Sequence, residues 1–240
     1  MTDRRIDLSE TYYGNWANVY DRFATAPGIQ SWRVRAAETL SLSRGDTVVE
    51  MGCGTGANFP YLRERVGAEG RVVGVDLVPA MVGEAQRRID RAGWENVHAV
   101  CGDATRPPVS TADALLSTFV VGMLDSPEEV VRSWVRLVEP GGRVTLLNAE
   151  RSNRPLVRPL NLACRAFVRL TAPGYRLRPT SPVRDLEARW QDASETLFEG
   201  TVDHVDERLG AGFVTLASGQ VPGRRGTPQA TSNVSLNIIS

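Results

Sequence analysis

Between Asp46 and Glu150 short apolar runs alternate with longer stretches of mixed polarity. The runs cover 47–51, 71–77, 97–101, 113–120 and 143–148. Runs of this length, apolar at successive positions, predict strands buried on both faces. The stretches between them predict helices over 57–66, 79–92 and 126–138. The last has a clear start: Ser126 as N-cap, Pro127 at the first helical position and Glu129 completing a capping box. Its stop is Pro140-Gly141-Gly142, which breaks a helix and turns into the next strand. Strand and helix in alternation predict an α/β fold, a parallel sheet covered on both faces.

The flanks read differently. Residues 1–45 form a helical leading piece, with apolar positions at helical spacing over 29–42. Beyond Glu150, residues 151–180 are rich in Arg and Pro and read as an insertion. A helix is expected near 184–198. Two strands follow, 201–208 and 213–219, joined by Gly210-Ala211-Gly212, a hairpin signal. The expected organisation is a leading piece over 1–45, a main domain over 46–220 and a disordered tail over 221–240.

Composition narrows the class. A chain of 240 residues, 42% hydrophobic and 23% charged, supplies one sizeable core without staples. No apolar run approaches the roughly 18 residues of a membrane span. The first ten residues hold no apolar core of a secretory signal, so a cytoplasmic location is expected. Cys53, Cys101 and Cys164 fit neither a disulfide framework nor a zinc site, and reduced thiols are expected. The formal net charge is zero, which implies no nucleic-acid partner. All 28 basic residues are arginine, a bias that reads as codon usage rather than function.

The candidate chemistry lies at three strand ends. Gly52-Cys53-Gly54-Thr55-Gly56 follows the first predicted strand and opens a helix. Glycines there let the backbone turn tightly and approach a ligand. The following helix N-terminus favours an anionic group. Asp76 ends the second predicted strand, where an acid can accept both hydroxyls of a ribose. Gly102-Asp103-Ala104 follows the third, where an acid reaches the exocyclic amine of adenine. The turn alone leaves three readings open. Gly52 to Ala57 also satisfies G-x-G-x-x-A, as a nicotinamide or flavin enzyme would, and glycine turns occur with no ligand at all. The chain has no lysine, which removes a Tyr–Lys catalytic pair from the oxidoreductase reading.

Taken together these residues resemble the class I S-adenosylmethionine-dependent methyltransferases. Glu50-x-Gly52-x-Gly54-x-Gly56 looks like the family's first motif, Asp76 its second, and Gly102-Asp103-Ala104 its adenine-side motif. Val138-Glu139-Pro140-Gly141-Gly142 resembles its L-K-P-G-G turn, with Glu139 where lysine is usual. The resemblance implies a doubly wound, Rossmann-like sheet of seven strands with an antiparallel last strand. It implies S-adenosyl-L-methionine as cofactor, held by Glu50, Gly52, Cys53, Gly54, Gly56, Asp76, Leu77, Met81, Gly102, Asp103 and Ala104. Thr118 and Phe119, after the fourth strand, match positions beside the transferred methyl. Tyr12 to Asp21 is similar to the leading segment of the quinone- and phospholipid-methylating branches. There it folds over the cofactor as a lid, which would bring Tyr20 to its methionine end; an amphipathic helix packed on the domain is the other reading.

Those branches imply a small or lipid-like acceptor, a quinol ring or a phospholipid head group. O- or N-methylation of a soluble small molecule is the alternative. No general base is evident. His98 sits within the third predicted strand and His204 in the late hairpin, away from the motifs. Between Arg151 and Val183 there is no acidic residue. Arg158, Arg165 and Arg169 share a helical face there, with apolar residues opposite. Three readings fit: a helix with one face on the core, an interfacial patch peripheral to an anionic membrane surface, or a site for an anionic soluble acceptor.

Overall fold

A computed structural model of the chain describes residues 27–149 and 182–223. The element order is α1 (Pro27–Thr39), β1 (Thr47–Met51), α2 (Phe59–Val66), β2 (Arg71–Asp76), α3 (Pro79–Ala92), β3 (Val97–Cys101) and β4 (Ala112–Thr118). A 3-10 turn (Val121–Met123), α4 (Pro127–Leu137), β5 (Val138–Ala149), α5 (Pro182–Gly200), β6 (Val202–Leu209) and β7 (Val214–Gln220) follow. The strands form one seven-stranded sheet in the order β3-β2-β1-β4-β5-β7-β6. β1 to β5 run parallel, and β7 pairs antiparallel with both β5 and β6. This is the doubly wound sheet with a reversed last strand that the sequence implied.

The alternation of side chains along each strand sorts the core into two layers. Val48 packs with α1, α2 and α3 through Ala36, Leu40, Phe59, Leu62 and Ile89. Its neighbour Val49 packs on the other face with α4 and α5 through Val131, Trp134, Trp190 and Leu197. Glu50, one step further, therefore returns to the α1–α2 face. That parity places a carboxyl group inside an apolar layer.

Two local expectations are corrected. Ser126 and Pro127 do stand at the start of α4, but Ser126 makes no side-chain capping bond. Its backbone leaves the geometry in which a hydroxyl reaches back to the helix. Pro140-Gly141-Gly142 does follow the end of the helix, but it is not a turn outside the sheet. α4 ends at Leu137, and Val138 already pairs with Ala112. The chain then bulges through Glu139 to Gly142 and rejoins the sheet with Arg143 opposite Ala114. The bulge is held by exchange with Val221: Gly141 N–H donates to the Val221 carbonyl, and Val221 N–H to that of Gly142. Of the tail expected over 221–240, residues 224–240 lie outside the described residues, as do Tyr20, Cys164 and the whole of 151–180.

Candidate functional site

The three motif turns meet at the carboxyl ends of β1, β2 and β3. Two backbone bonds tie the first to β2: Gly52 and Cys53 both donate to the Val75 carbonyl. Gly102 donates to the Asp76 carbonyl, joining the third turn to the second. The turn after β1 is closely packed. A Cβ on Gly56, at φ +73°, would fall 2.5 Å from the Phe59 ring, and one on Gly74 would meet the same ring. Phe59 thus lies where only glycines leave room, and it opens α2.

Asp76 sits between the turns as their shared acceptor. Its Oδ2 accepts from Gly54 N–H at 2.8 Å and its Oδ1 from Val78 N–H at 2.9 Å. Burial raises its carboxyl above the usual aspartate value, and the backbone N–H groups of Val78, Gly54 and Leu77 oppose that. Each oxygen keeps lone-pair capacity for a further donor. Asp103 is exposed; its Oδ1 accepts from Thr105 N–H, which holds its carboxyl below the usual value. Ala104 is positioned by α4, whose Trp134 indole donates to its carbonyl at 2.8 Å. Leu77 is 68% exposed, and Met81, in the first turn of α3, is half-buried. Arg88 of α3 donates to the Thr55 carbonyl at 3.0 Å, bracing the glycine turn from the side.

Beneath this rim lies a buried polar cluster. Glu50 is 1% exposed, and burial drives its carboxyl up to about 8, against the lowering effects of Asn58, Arg33 and Arg88. Its Oε1 accepts a short hydrogen bond from Asn58 Nδ2. Its Oε2 is buried with no hydrogen-bond partner among the described residues. Asn58 Nδ2 also donates to Thr118 Oγ1 at 3.1 Å, and Asn58 Oδ1 accepts from Arg33 at 3.0 Å. Arg33 comes from α1 and is 4% exposed. Its guanidinium lies 5.6 Å from the centre of the Phe119 ring, a cation–π distance. Phe119 itself adopts φ 62°, an uncommon conformation for a large side chain, with its N–H held by the Leu147 carbonyl.

The structure brings Glu50, Gly52, Cys53, Gly54, Gly56, Asp76, Leu77, Met81, Gly102, Asp103, Ala104, Thr118 and Phe119 to one edge of the sheet. Burial pushes the Cys53 thiol well up, so it is a packed thiol rather than a nucleophile. The two histidines lie elsewhere. His98 is exposed on β3, one border of the sheet, and His204 is on β6, the other, its ring against Phe198 and its Nε2 2.8 Å from the Thr201 carbonyl. No metal-binding cluster occurs among the described residues. Arg33 and Asn58 were not evident from sequence. The signal was present: Arg33 falls on the buried stripe of α1 with Ala36 and Ala37, and a charge there needs buried partners.

Residues 48–142 match a family model described as a methyltransferase domain. A phosphatidylethanolamine N-methyltransferase of Cereibacter sphaeroides is 31% identical over 146 residues, spanning 60% of this chain and 68% of that protein. The chain belongs to the class I S-adenosylmethionine-dependent methyltransferases. A demethylmenaquinone methyltransferase of Listeria welshimeri is 23% identical over 160 residues, covering 65% of this methyltransferase and 68% of that one. A SAM-dependent methyltransferase from Aquifex aeolicus superposes with a TM-score of 0.59 at 18% identity, over 79% of this chain and 89% of that one. The nicotinamide reading left open by the glycine pattern falls with this assignment.

The donor set suits the methyltransferase cofactor, S-adenosyl-L-methionine. A buried carboxyl oxygen with no partner among the described residues can accept from an ammonium, and a carboxylate at the end of β2 can accept from a pair of hydroxyls.

Proposed function

We propose that this methyltransferase modifies a lipid-like acceptor, a quinol ring or a phospholipid head group, at the rim above β1 and β4. The observation that carries the reading is a large exposed apolar side chain, Met123, at the edge of the sheet that holds the motif turns. Leu77 follows β2 and Met123 follows β4, 68% and 59% exposed, on either side of β1 at the same edge of the sheet. An apolar acceptor would cover Met123, Leu77 lying on the cofactor side, and the names of the Cereibacter and Listeria relatives point to the same two acceptor classes.

In this reading Asp76 takes the ribose hydroxyls, and Asp103 the adenine amine. Leu77 and Met81 flank the base. Glu50 receives the ammonium of the methionine end, where Tyr20 is the candidate covering residue. Gly52, Cys53, Gly54, Gly56, Gly102 and Ala104 supply backbone at close approach. Bound there, S-adenosylmethionine supplies an activated methyl on a sulfonium. The work left to the chain is positional: Thr118 and Phe119 fix the approach of the acceptor. The basic stretch over 151–180 is the segment we assign to an anionic membrane surface. No helix among the described residues is long and apolar enough to cross a membrane, so contact would be peripheral.

The test is methyl transfer from labelled S-adenosylmethionine to a demethylated quinol, to phosphatidylethanolamine vesicles and to a panel of soluble amines and phenols. Label in a quinol or lipid supports the proposal. Label confined to soluble acceptors overturns it. Co-sedimentation with anionic vesicles at low salt tests the surface separately, and its absence removes the membrane role while leaving the acceptor open.

A further inference from the structure

We propose that Arg33 and Asn58 act as a positioning pair that holds Glu50 ready for the amino group of the bound cofactor. The inference rests on the cofactor reading above and adds two residues from outside the motifs. The geometry is a chain of buried groups from three elements. Arg33 on α1 donates to Asn58 Oδ1 at 3.0 Å, which fixes the amide the other way round, with its Nδ2 toward Glu50 Oε1 and Thr118 Oγ1. Asn58 is wholly buried and precedes α2, where its side chain caps nothing. Its amide therefore serves the cluster rather than the helix.

Three consequences follow. The amide flip is set by Arg33, because a guanidinium only donates and so selects the carbonyl oxygen of Asn58. The flip in turn occupies one Glu50 oxygen and leaves the other, Oε2, buried and unpartnered among the described residues. A buried carboxyl oxygen left so is costly; an arriving ammonium donates to it and draws the carboxyl from its neutral form to the carboxylate. Arg33 is also placed over Phe119, so the helix that carries it is tied to the strand end beside the transferred methyl. Arg33 acts through Asn58, not by touching the reacting atoms.

The experiment compares S-adenosylhomocysteine with its deaminated analogue, which lacks only the amino group, by titration calorimetry on the full chain. Wild type should prefer the first by roughly tenfold or more, the worth of one charge-assisted hydrogen bond. In Arg33→Gln that preference should fall toward unity while affinity for the analogue stays near wild type. Arg33→Lys should retain part of it. If Arg33→Gln does not fold, Asn58→Ser removes the bond to Glu50 and should show the same loss. A preference unchanged in the folded variants overturns the positioning role. Equal binding of both ligands by wild type overturns the Glu50–amine contact but leaves the cofactor reading standing. Failure of wild type to bind either overturns both.

Discussion

A carboxyl group drawn out of water prefers its neutral form, and Glu50 is such a group. Its folded-state value of about 8 lies above the ordinary glutamate value of 4.5. Between those two values the folded chain keeps a proton that the unfolded chain has released. Stability is therefore fully retained below the ordinary value and is lost as pH rises through it toward 8, by about 1.4 kcal/mol per pH unit at most. Glu50→Gln keeps the shape and removes the titration. Urea unfolding at pH 5, 6.5 and 8 should show the variant gaining on wild type as pH rises. Parallel curves would mean that Glu50 is ionised in the folded chain. Asp76 carries a different burden. Because its oxygens accept from Gly54 and Val78, Asp76→Ala removes more than a ligand contact: it strands two backbone donors at the turn. The expected outcome is a cofactor affinity loss of about 1.5–3 kcal/mol together with a stability loss of about 1–3 kcal/mol, read by calorimetry and by urea unfolding of the same preparation. Unchanged affinity in a folded variant would remove Asp76 from the site.

Elements show how glycines can be opposite in consequence. Gly142 lies in the bulge of β5, where a Cβ would sit 2.0 Å from the Asp113 carbonyl oxygen and 2.7 Å from Val138. Backbone on a neighbouring strand has nowhere to retreat, so Gly142→Ala should cost about 3 kcal/mol. Gly83 lies inside α3 with nothing within 4 Å of the place a methyl group would take, so Gly83→Ala should stabilise by about 0.5–1 kcal/mol through helix propensity. Urea midpoints of the two variants, moving in opposite directions, check both. The same elements show what sequence could carry. β1 and β3 and the helix α3 have the predicted limits, because apolar period and a proline or glycine boundary are local properties. The bulge was misread as a plain stop, since Pro140-Gly141-Gly142 breaks a helix by local rules while only β4 and Val221 decide that it stays in the sheet. The glycine turn and Asp76 were legible as a candidate ligand site because their chemistry is written in residue type and spacing, and the structure joins the two through Gly54 N–H. Arg33 and Asn58 were not, because their meaning lies in meeting each other and Glu50 from three separate elements.

On the scale of the molecule, the strand order reverses between β1 and β4, the first continuing outward to β3 and the second to β7 and β6. Chain leaving β1 and chain leaving β4 turn to opposite faces, and an open crevice forms above the point where they part. Glu50 at the end of β1 and Thr118 and Phe119 at the end of β4 border that crevice, whereas His98 and His204 stand on the two outer strands. A ligand bound in the crevice bridges both halves of the sheet and binds only the folded chain. At a hundred times its dissociation constant, S-adenosylhomocysteine should therefore add about 2.7 kcal/mol, a rise in melting midpoint of about 5–10 °C for a domain of this size. NADH at the same concentration should add nothing. Position then separates the residues that matter from those that do not: Phe119→Ala, at the crevice, should shrink the shift, while His98→Ala and His204→Ala, at the borders, should leave it intact. Thermal melts of the four proteins with and without each ligand decide it. A shift abolished by either histidine substitution, or one produced by NADH, would move the site away from the switch point and break the link between strand order and cofactor binding on which the functional reading depends.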